Sequence, residues 1–430
     1  MTDFWCERLW QPTGVRDHVL VAVNEDGTIG RMSITDSPPA DAHRLSGLVF
    51  PGFANVHSHA FHRALRGRTH TAGGTFWTWR QGMYALARKL DPDGYLELAR
   101  AVYAELAVAG FTCVGEFHYL HHAPGGARYN DPNAMAEALR AAAAEAGIRL
   151  TLLDTCYLAG GIETPVSAEQ QRFSDGSVLA WAERVSALRG DETMVVGAAI
   201  HSVRAVPRTD LAAVAASDVR RPLHVHLSEQ PAENEACQAA YGCSPTELLA
   251  GAGVLSARTT AVHATHLSTR DIQLLGSARV NACLCPTTEA DLADGIGPAR
   301  ELADAGCPIV LGSDQHAVVD PFLEARALEH GERLRTGRRG RFAPVELTIA
   351  LTSAGHNALG WSASYADLVA VRTDSVRTAG CAPDQVLLAA TGADVHTVVS
   401  RGQVIARDGR HEKLGDVGEL LDAAIGRLWE

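Results

Sequence analysis

The sequence predicts an α/β protein built around one (β/α)8 barrel, with a small flanking β-sandwich formed by both chain ends. Three observations carry this prediction. Eight short apolar runs follow one another between Val49 and Asp314. Helix-patterned stretches rich in alanine and leucine separate them. Polar residues able to do chemistry sit at the C-terminal ends of the runs, where barrels of this kind build their sites.

The runs read VFPGFANVH, TCVGEFHY, RLTLLDTCY, MVVGAAIHS, PLHVHLSE, TTAVHATH, RVNACLCP and PIVLGSD. Most are almost continuously apolar or small, as strands buried on both faces must be. The intervening helices are expected at Gly94 to Ala109, Pro132 to Ala146 and Val178 to Leu188, among others. Alternation of the two elements implies a parallel sheet, and eight units imply closure. The ends differ. Val19 to Ile34 alternates like a hairpin around Asp26-Gly27, and Thr397 to Ala406 does so around Arg401-Gly402. The expected division is therefore a composite sandwich at 1–50 and 366–411, a barrel at 51–365 and a C-terminal helix at 412–430, its amphipathic part running from Gly415 to Leu428.

Composition narrows the function. A net charge of -12 repels a phosphate backbone, so no nucleic acid is expected as partner. The one dense basic stretch, Arg333 to Arg341, reads as a solvated loop. No apolar run is long enough for a membrane span, and MTDFWCERLW lacks the basic-then-apolar pattern of a secretory signal. The nine cysteines show no disulfide-like or CxxC spacing. Buried free thiols in a reducing cytoplasm are expected, with Cys283 and Cys285 on one face of a strand.

The chemistry concentrates at the strand ends. In His57-Ser58-His59 the two imidazoles point the same way and can converge on one ion. His226 ends the fifth run, and Glu229 three residues on supplies a carboxylate for proton transfer. His224 lies a strand step deeper and reads as packed rather than ligating. His263 and His266 end the sixth run, and Ser313-Asp314 ends the last. Each has a plain structural explanation alone; Asp314, for example, could cap the following helix. Together, three histidines and one aspartate at strands one, five and eight match a catalytic zinc site with a position left open for water.

These residues also carry a resemblance. PGFANVHSHAFHRAL, HVHLSEQ, AVHATHL and LGSD are similar to the amidohydrolase superfamily across essentially the whole chain, as is the closing VVSRGQVIARDGRH. Within it FWTWR, GEFHYLHH, IHSVRAV and HLSEQ resemble the formimidoylglutamate deiminases of histidine degradation. The resemblance implies that His57, His59, His226 and Asp314 hold the metal and that a water activated there attacks the formimino carbon. It makes Asp314 the first proton acceptor, Glu229 the proton carrier to the departing ammonia, and His263 the group that orients the water. Two-zinc relatives commonly use a carbamylated lysine; this chain has only Lys89 and Lys413, neither on an expected barrel strand, so one Zn2+ per chain is expected. A mixed His/Asp site also accepts iron or manganese.

A substrate with two carboxylates requires fixed cations, and the resemblance assigns Arg80 and Arg204, with Tyr119 and His201 as further contacts. His62 stands where many relatives have Gln, which bears on how the formimino group is held. The implied enzyme is a cytoplasmic homodimer. Two other readings stay open: another mononuclear deaminase, acting on a nucleobase or an S-adenosyl compound, and a non-catalytic barrel that binds a metabolite.

Overall fold

In a computed structural model of the chain, which describes residues 3–70, 73–218, 220–361 and 364–430, the eight runs become eight parallel strands. They are β1 (Phe53–Ser58), β2 (Phe111–His118), β3 (Arg149–Cys156), β4 (Met194–Ile200), β5 (Leu223–Leu227), β6 (Thr259–His263), β7 (Asn281–Leu284) and β8 (Ile309–Leu311). Each pairs with its sequence neighbour. Every residue of these strands is buried except Val195, which explains why the runs do not alternate. The first run proves to span two elements. Val49 to Pro51 ends a strand of a separate sheet, and Gly52 leads from it into β1. A continuous apolar run cannot reveal such a division, because both parts are buried.

The seam between β8 and β1 closes the barrel. It is a parallel bridge between Ser58 and Asp314, in which the Asp314 N–H donates to His57 O at 2.9 Å and the His59 N–H to Asp314 O at 3.0 Å. The Asn55 carboxamide reinforces it, donating to Ser313 Oγ at 2.7 Å and accepting from Ser313 N at 2.9 Å. Gly312 makes the approach possible. A Cβ there would sit 2.8 Å from His57 Cβ and 2.9 Å from both His57 N and O. Below the polar rim, inward residues Ala54, Val56, Cys113, Val262, Cys283 and Val310 pack with Ala358, Leu359 and Trp361, so the barrel is filled.

The helices lie close to their expected places. Pro92–Val108 is started by Asp91, whose carboxylate accepts from Gly94 N. Ala134–Ala146 ends on Gly147 in the left-handed conformation. Val178–Ser186 is capped by Ser177, and Val417–Trp429 by Asp416. Both chain ends enter one continuous eight-stranded sheet. Its order is Arg410–His411, Gln403–Arg407, Val395–Ser400, Leu368–Val371, His43–Pro51, Phe4–Gln11, Gly14–Val23, Ile29–Ile34. The Arg401-Gly402 turn has φ of 49° and 72°, the two positive values of a type I′ hairpin. The sheet has a core of its own that includes Phe4, Val21, Leu45, Leu368 and Val399.

All nine cysteines are free, and Cys283 and Cys285 are both buried. The basic run is matched by acids: Arg333 pairs with Glu329, Arg335 with Glu301 and Glu332, and Arg341 with Glu332. Among the described residues no helix is long and apolar enough to cross a membrane. Gly312→Ala tests the seam. Because its Cβ would meet backbone atoms, the substitution is expected to destabilise by about 1–3 kcal/mol, read as a lower thermal midpoint; an unchanged midpoint would mean that the two strands can separate at no cost.

Candidate metal centre and active site

Strand ends place the site. His57 and His59 straddle the end of β1, with ring centroids 4.7 Å apart. His226 lies inside β5, His263 ends β6, and Asp314 follows β8. Asp314 Oδ1 is 3.2 Å from His57 Nε2 and 3.3 Å from His59 Nε2. His226 Nε2 is 3.1 Å from His57 Nε2. One potential ligand atom from each of His57, His226, His263 and Asp314 lies within 4.8 Å of the others, and His59, His62 and Asp314 form an overlapping group.

This donor set fits a divalent ion. His59 Nδ1 contacts Phe117 O and His226 Nδ1 contacts His201 O, each at 3.0 Å. A proton on each Nδ1, donated to its carbonyl, leaves the Nε2 lone pairs aimed at one small space beside a carboxylate. Burial supports the neutral rings: it lowers His59 to about 3, with His57 adding to the effect, and pushes His226 well below its usual value. Asp314 is the reverse. Burial opposes its ionisation, yet the His57 hydrogen bond and the charge of His263 hold it far below the ordinary carboxylate range. A buried carboxylate among lone pairs is a cation site.

The strand ends are strained. Ser228, His263, Ala264 and Asp314 all have φ between 43° and 68°, a region costly for residues with a Cβ. The conformation turns successive side chains toward the rim. Glu229 Oε1 lies 3.7 Å from His263 Nε2, and Glu229 Oε2 lies 3.8 Å from Arg204 Nη2. Burial raises the Glu229 carboxyl despite His263 and Arg204. Burial would lower His263, but Glu229, Glu289 and Asp314 outweigh it and hold the imidazole well above its usual value.

One cavity of about 60 Å3 collects most of the expected residues: His59, His62, Arg80, Tyr119, His201, Arg204, His226, Glu229, His263 and Asp314. His57 lies just behind it, against His226. Arg80 is half-buried, its guanidinium 5.3 Å from the Tyr84 ring centre and 5.7 Å from that of Trp77. Trp79 is buried in the wall, whereas Trp77 is 46% exposed. His62 Nε2 is 2.9 Å from Tyr119 Oη, so the histidine is held by the tyrosine hydroxyl. His224 and His266 stay outside. His224 is fully buried and lowered to about 3 by that burial, and His266 Nε2 bonds Asp294 O at 2.8 Å.

Several residues here escape a reading of the sequence. Tyr157 and Tyr84 line the cavity, and Tyr157, at the end of its run, could have been noticed. Glu289 accepts from Cys285 N at 2.8 Å and lies 3.4 Å from His263 Nδ1. Glu233 accepts from Arg204 Nε at 2.7 Å. Both glutamates are helix residues with no signal of their own. Glu116, by contrast, is one of the polar residues that end the second apolar run; it sits beneath the site, accepting from Ala60 N at 2.7 Å and Ser58 Oγ at 2.8 Å. Ser58 Oγ is also 2.9 Å from His316 Nε2.

Residues 48–405 match the model of the amidohydrolase family. The chain is 35% identical over 455 residues to the formimidoylglutamate deiminase of Pseudomonas aeruginosa, covering 98% of this chain and 100% of that protein. It is 31% identical over 388 residues to the 8-oxoguanine deaminase of the same organism, covering 83% of each. Among solved structures, an amidohydrolase from Brucella melitensis has a TM-score of 0.93 at 31% identity, with 100% of both chains covered.

Burial raises the Glu116 carboxyl to about 7, against the pull of its hydrogen bonds from Ala60 and Ser58. The folded chain thus holds this proton more tightly than the unfolded chain, where Glu titrates near about 4.3. Its stabilising contribution is complete below that value and is lost as pH rises through about 7, a change of roughly 4 kcal/mol. Glu116→Gln keeps the neutral shape and is expected to flatten that part of the fall in metal-stripped protein. Thermal midpoints from about pH 4.5 to 7.5 check it; wild type and variant falling in parallel would assign the proton elsewhere.

Proposed function

The chain belongs to the amidohydrolase family, and from that premise we propose that it hydrolyses N-formimino-L-glutamate to N-formyl-L-glutamate and ammonia. The observation that carries the substrate is the division of charge in one small cavity. Glu229 and Asp314 stand with the histidines at one end, and Arg80, from the helix Phe76–Ala87, and Arg204, from the loop after β4, line the rest. A linear cationic amidine joined to two carboxylates has the complementary pattern. The similarity to the Pseudomonas aeruginosa formimidoylglutamate deiminase supports the same assignment.

In this reading His57, His59, His226 and Asp314 would hold a zinc ion, one per chain. When bound, such an ion supplies a water acidic enough to ionise near neutral pH and a Lewis acid beside the substrate. Asp314, kept ionised by its histidine neighbours, accepts the water's first proton. Glu229 forms the counter-charge of the amidinium and passes a proton to the leaving nitrogen; its raised carboxyl suits a group that must hold and release protons. His263, anchored by Glu289, donates to the oxygen as charge builds on it. Arg80, Arg204 and Tyr119 bind the carboxylates, and His201 and His62 line the path between the two ends. Lys89 and Lys413 lie outside the barrel strands, which supports one ion rather than a lysine-bridged pair. The same reading takes the enzyme as a cytoplasmic homodimer, and its nine free cysteines fit a reducing compartment.

The test is ammonia release by zinc-loaded protein from N-formimino-L-glutamate, with guanine, cytosine and N-formimino-glycine in parallel. Release from the glutamate compound is expected, abolished by chelation, restored by zinc, and reduced at least about tenfold in kcat/KM by Arg204→Ala. Turnover of a base with none of the formimino acids would move the assignment to the nucleobase deaminases. Ligand binding without any turnover would favour a sensor.

A further inference from the structure

The two ends of the cavity meet at one buried carboxylate that belongs to neither. Glu233 stands in the first turn of the helix Pro231–Tyr241 and is 1% exposed. Its Oε2 accepts from Arg204 Nε at 2.7 Å, and its Oε1 accepts from Ser228 N at 2.9 Å. Ser228 is the residue before Glu229 and has a φ of 50°. A single side chain thus ties the loop carrying the arginine to the strained turn carrying the glutamate.

The competing contact gives this tie its meaning. Arg204 Nη2 already lies 3.8 Å from Glu229 Oε2. Without another partner, a buried guanidinium at that distance would close onto Glu229, and a substrate carboxylate would find the fork occupied. Glu233 engages the Nε edge, so the Nη end is what Arg204 offers the cavity it lines.

We propose that Glu233 is a positioning and specificity-determining residue: it holds Arg204 open for a substrate carboxylate and fixes its distance from Glu229. This rests on the reading of Arg204 as a carboxylate-binding group. An amide at position 233 offers one acceptor where the carboxylate offers two, so Glu233→Gln must give up one of the two bonds and all of the charge.

The experiment measures KM and kcat for N-formimino-L-glutamate, and both inhibition by and calorimetric binding of L-glutamate, which keeps both carboxylates and lacks the reacting group. The zinc-loaded proteins are wild type, Glu233→Gln, Arg204→Ala and the double variant. Glu233→Gln is expected to weaken both KM and inhibition at least about tenfold, with kcat within about threefold and zinc content unchanged. The double variant is expected to be no weaker than Arg204→Ala alone, because both changes act through one guanidinium. Affinities within about twofold of wild type in Glu233→Gln, or losses that multiply in the double variant, would overturn the proposal. If wild type releases no ammonia from N-formimino-L-glutamate while Glu233→Gln still weakens L-glutamate binding, the substrate assignment falls and the role of Glu233 stands.

Discussion

The contact on which the site depends is the seam between β8 and β1. A barrel closes only where its first and last strands meet, and here that meeting is a bridge between Ser58 and Asp314. The residues that make the bridge, or adjoin it, are also the ones whose side chains converge on the candidate ion. His57 O accepts from Asp314 N, and Asp314 O accepts from His59 N. Backbone closure and the geometry of the donor atoms are therefore one constraint. Gly312 and the Asn55–Ser313 pair serve both.

Around that seam the molecule concentrates charge that its burial opposes. Glu229, Glu233, Glu289 and Asp314 are all buried near one end of the barrel. They persist because each has a partner: His263 and Arg204 for Glu229, Arg204 for Glu233, the Cys285 N–H for Glu289, and the imidazoles for Asp314. Isolated buried charge is costly, whereas charge held by fixed donors makes a field that is ready before any substrate arrives. The left-handed backbone at His263 and Asp314 belongs to the same arrangement, being local strain supported by the closed barrel.

Much of this was legible in the sequence because burial on both faces writes strands as apolar runs. What stands at the end of such a run stands at the rim, so His226, His263 and Asp314 could be grouped before any coordinates. Arg80, Arg204 and His62 came from motif resemblance, since nothing in their local spacing marks a pocket. Glu233 and Glu289 were illegible for a physical reason. A glutamate in the first turn of a helix is ordinary, and only the tertiary fold brings its carboxylate to Arg204 or His263. The division of VFPGFANVH at Gly52 was hidden because the two strands it joins are equally buried.

The sheet of the two chain ends bears on how the molecule comes into being. Its two halves meet where His43–Pro51 pairs with Leu368–Val371 and at a bridge between Thr28 and Tyr365, more than 300 residues apart in sequence. The barrel seam joins Ser58 to Asp314, again across most of the chain. On a ribosome, both closures must wait until the later partner has emerged, while β1 and its apolar neighbours are already outside. Contacts of such long range form slowly, and open strand edges can pair with the wrong partner in the meantime. The same long-range pairing that makes the finished enzyme edge-poor thus leaves a long interval in synthesis during which chaperones have something to hold.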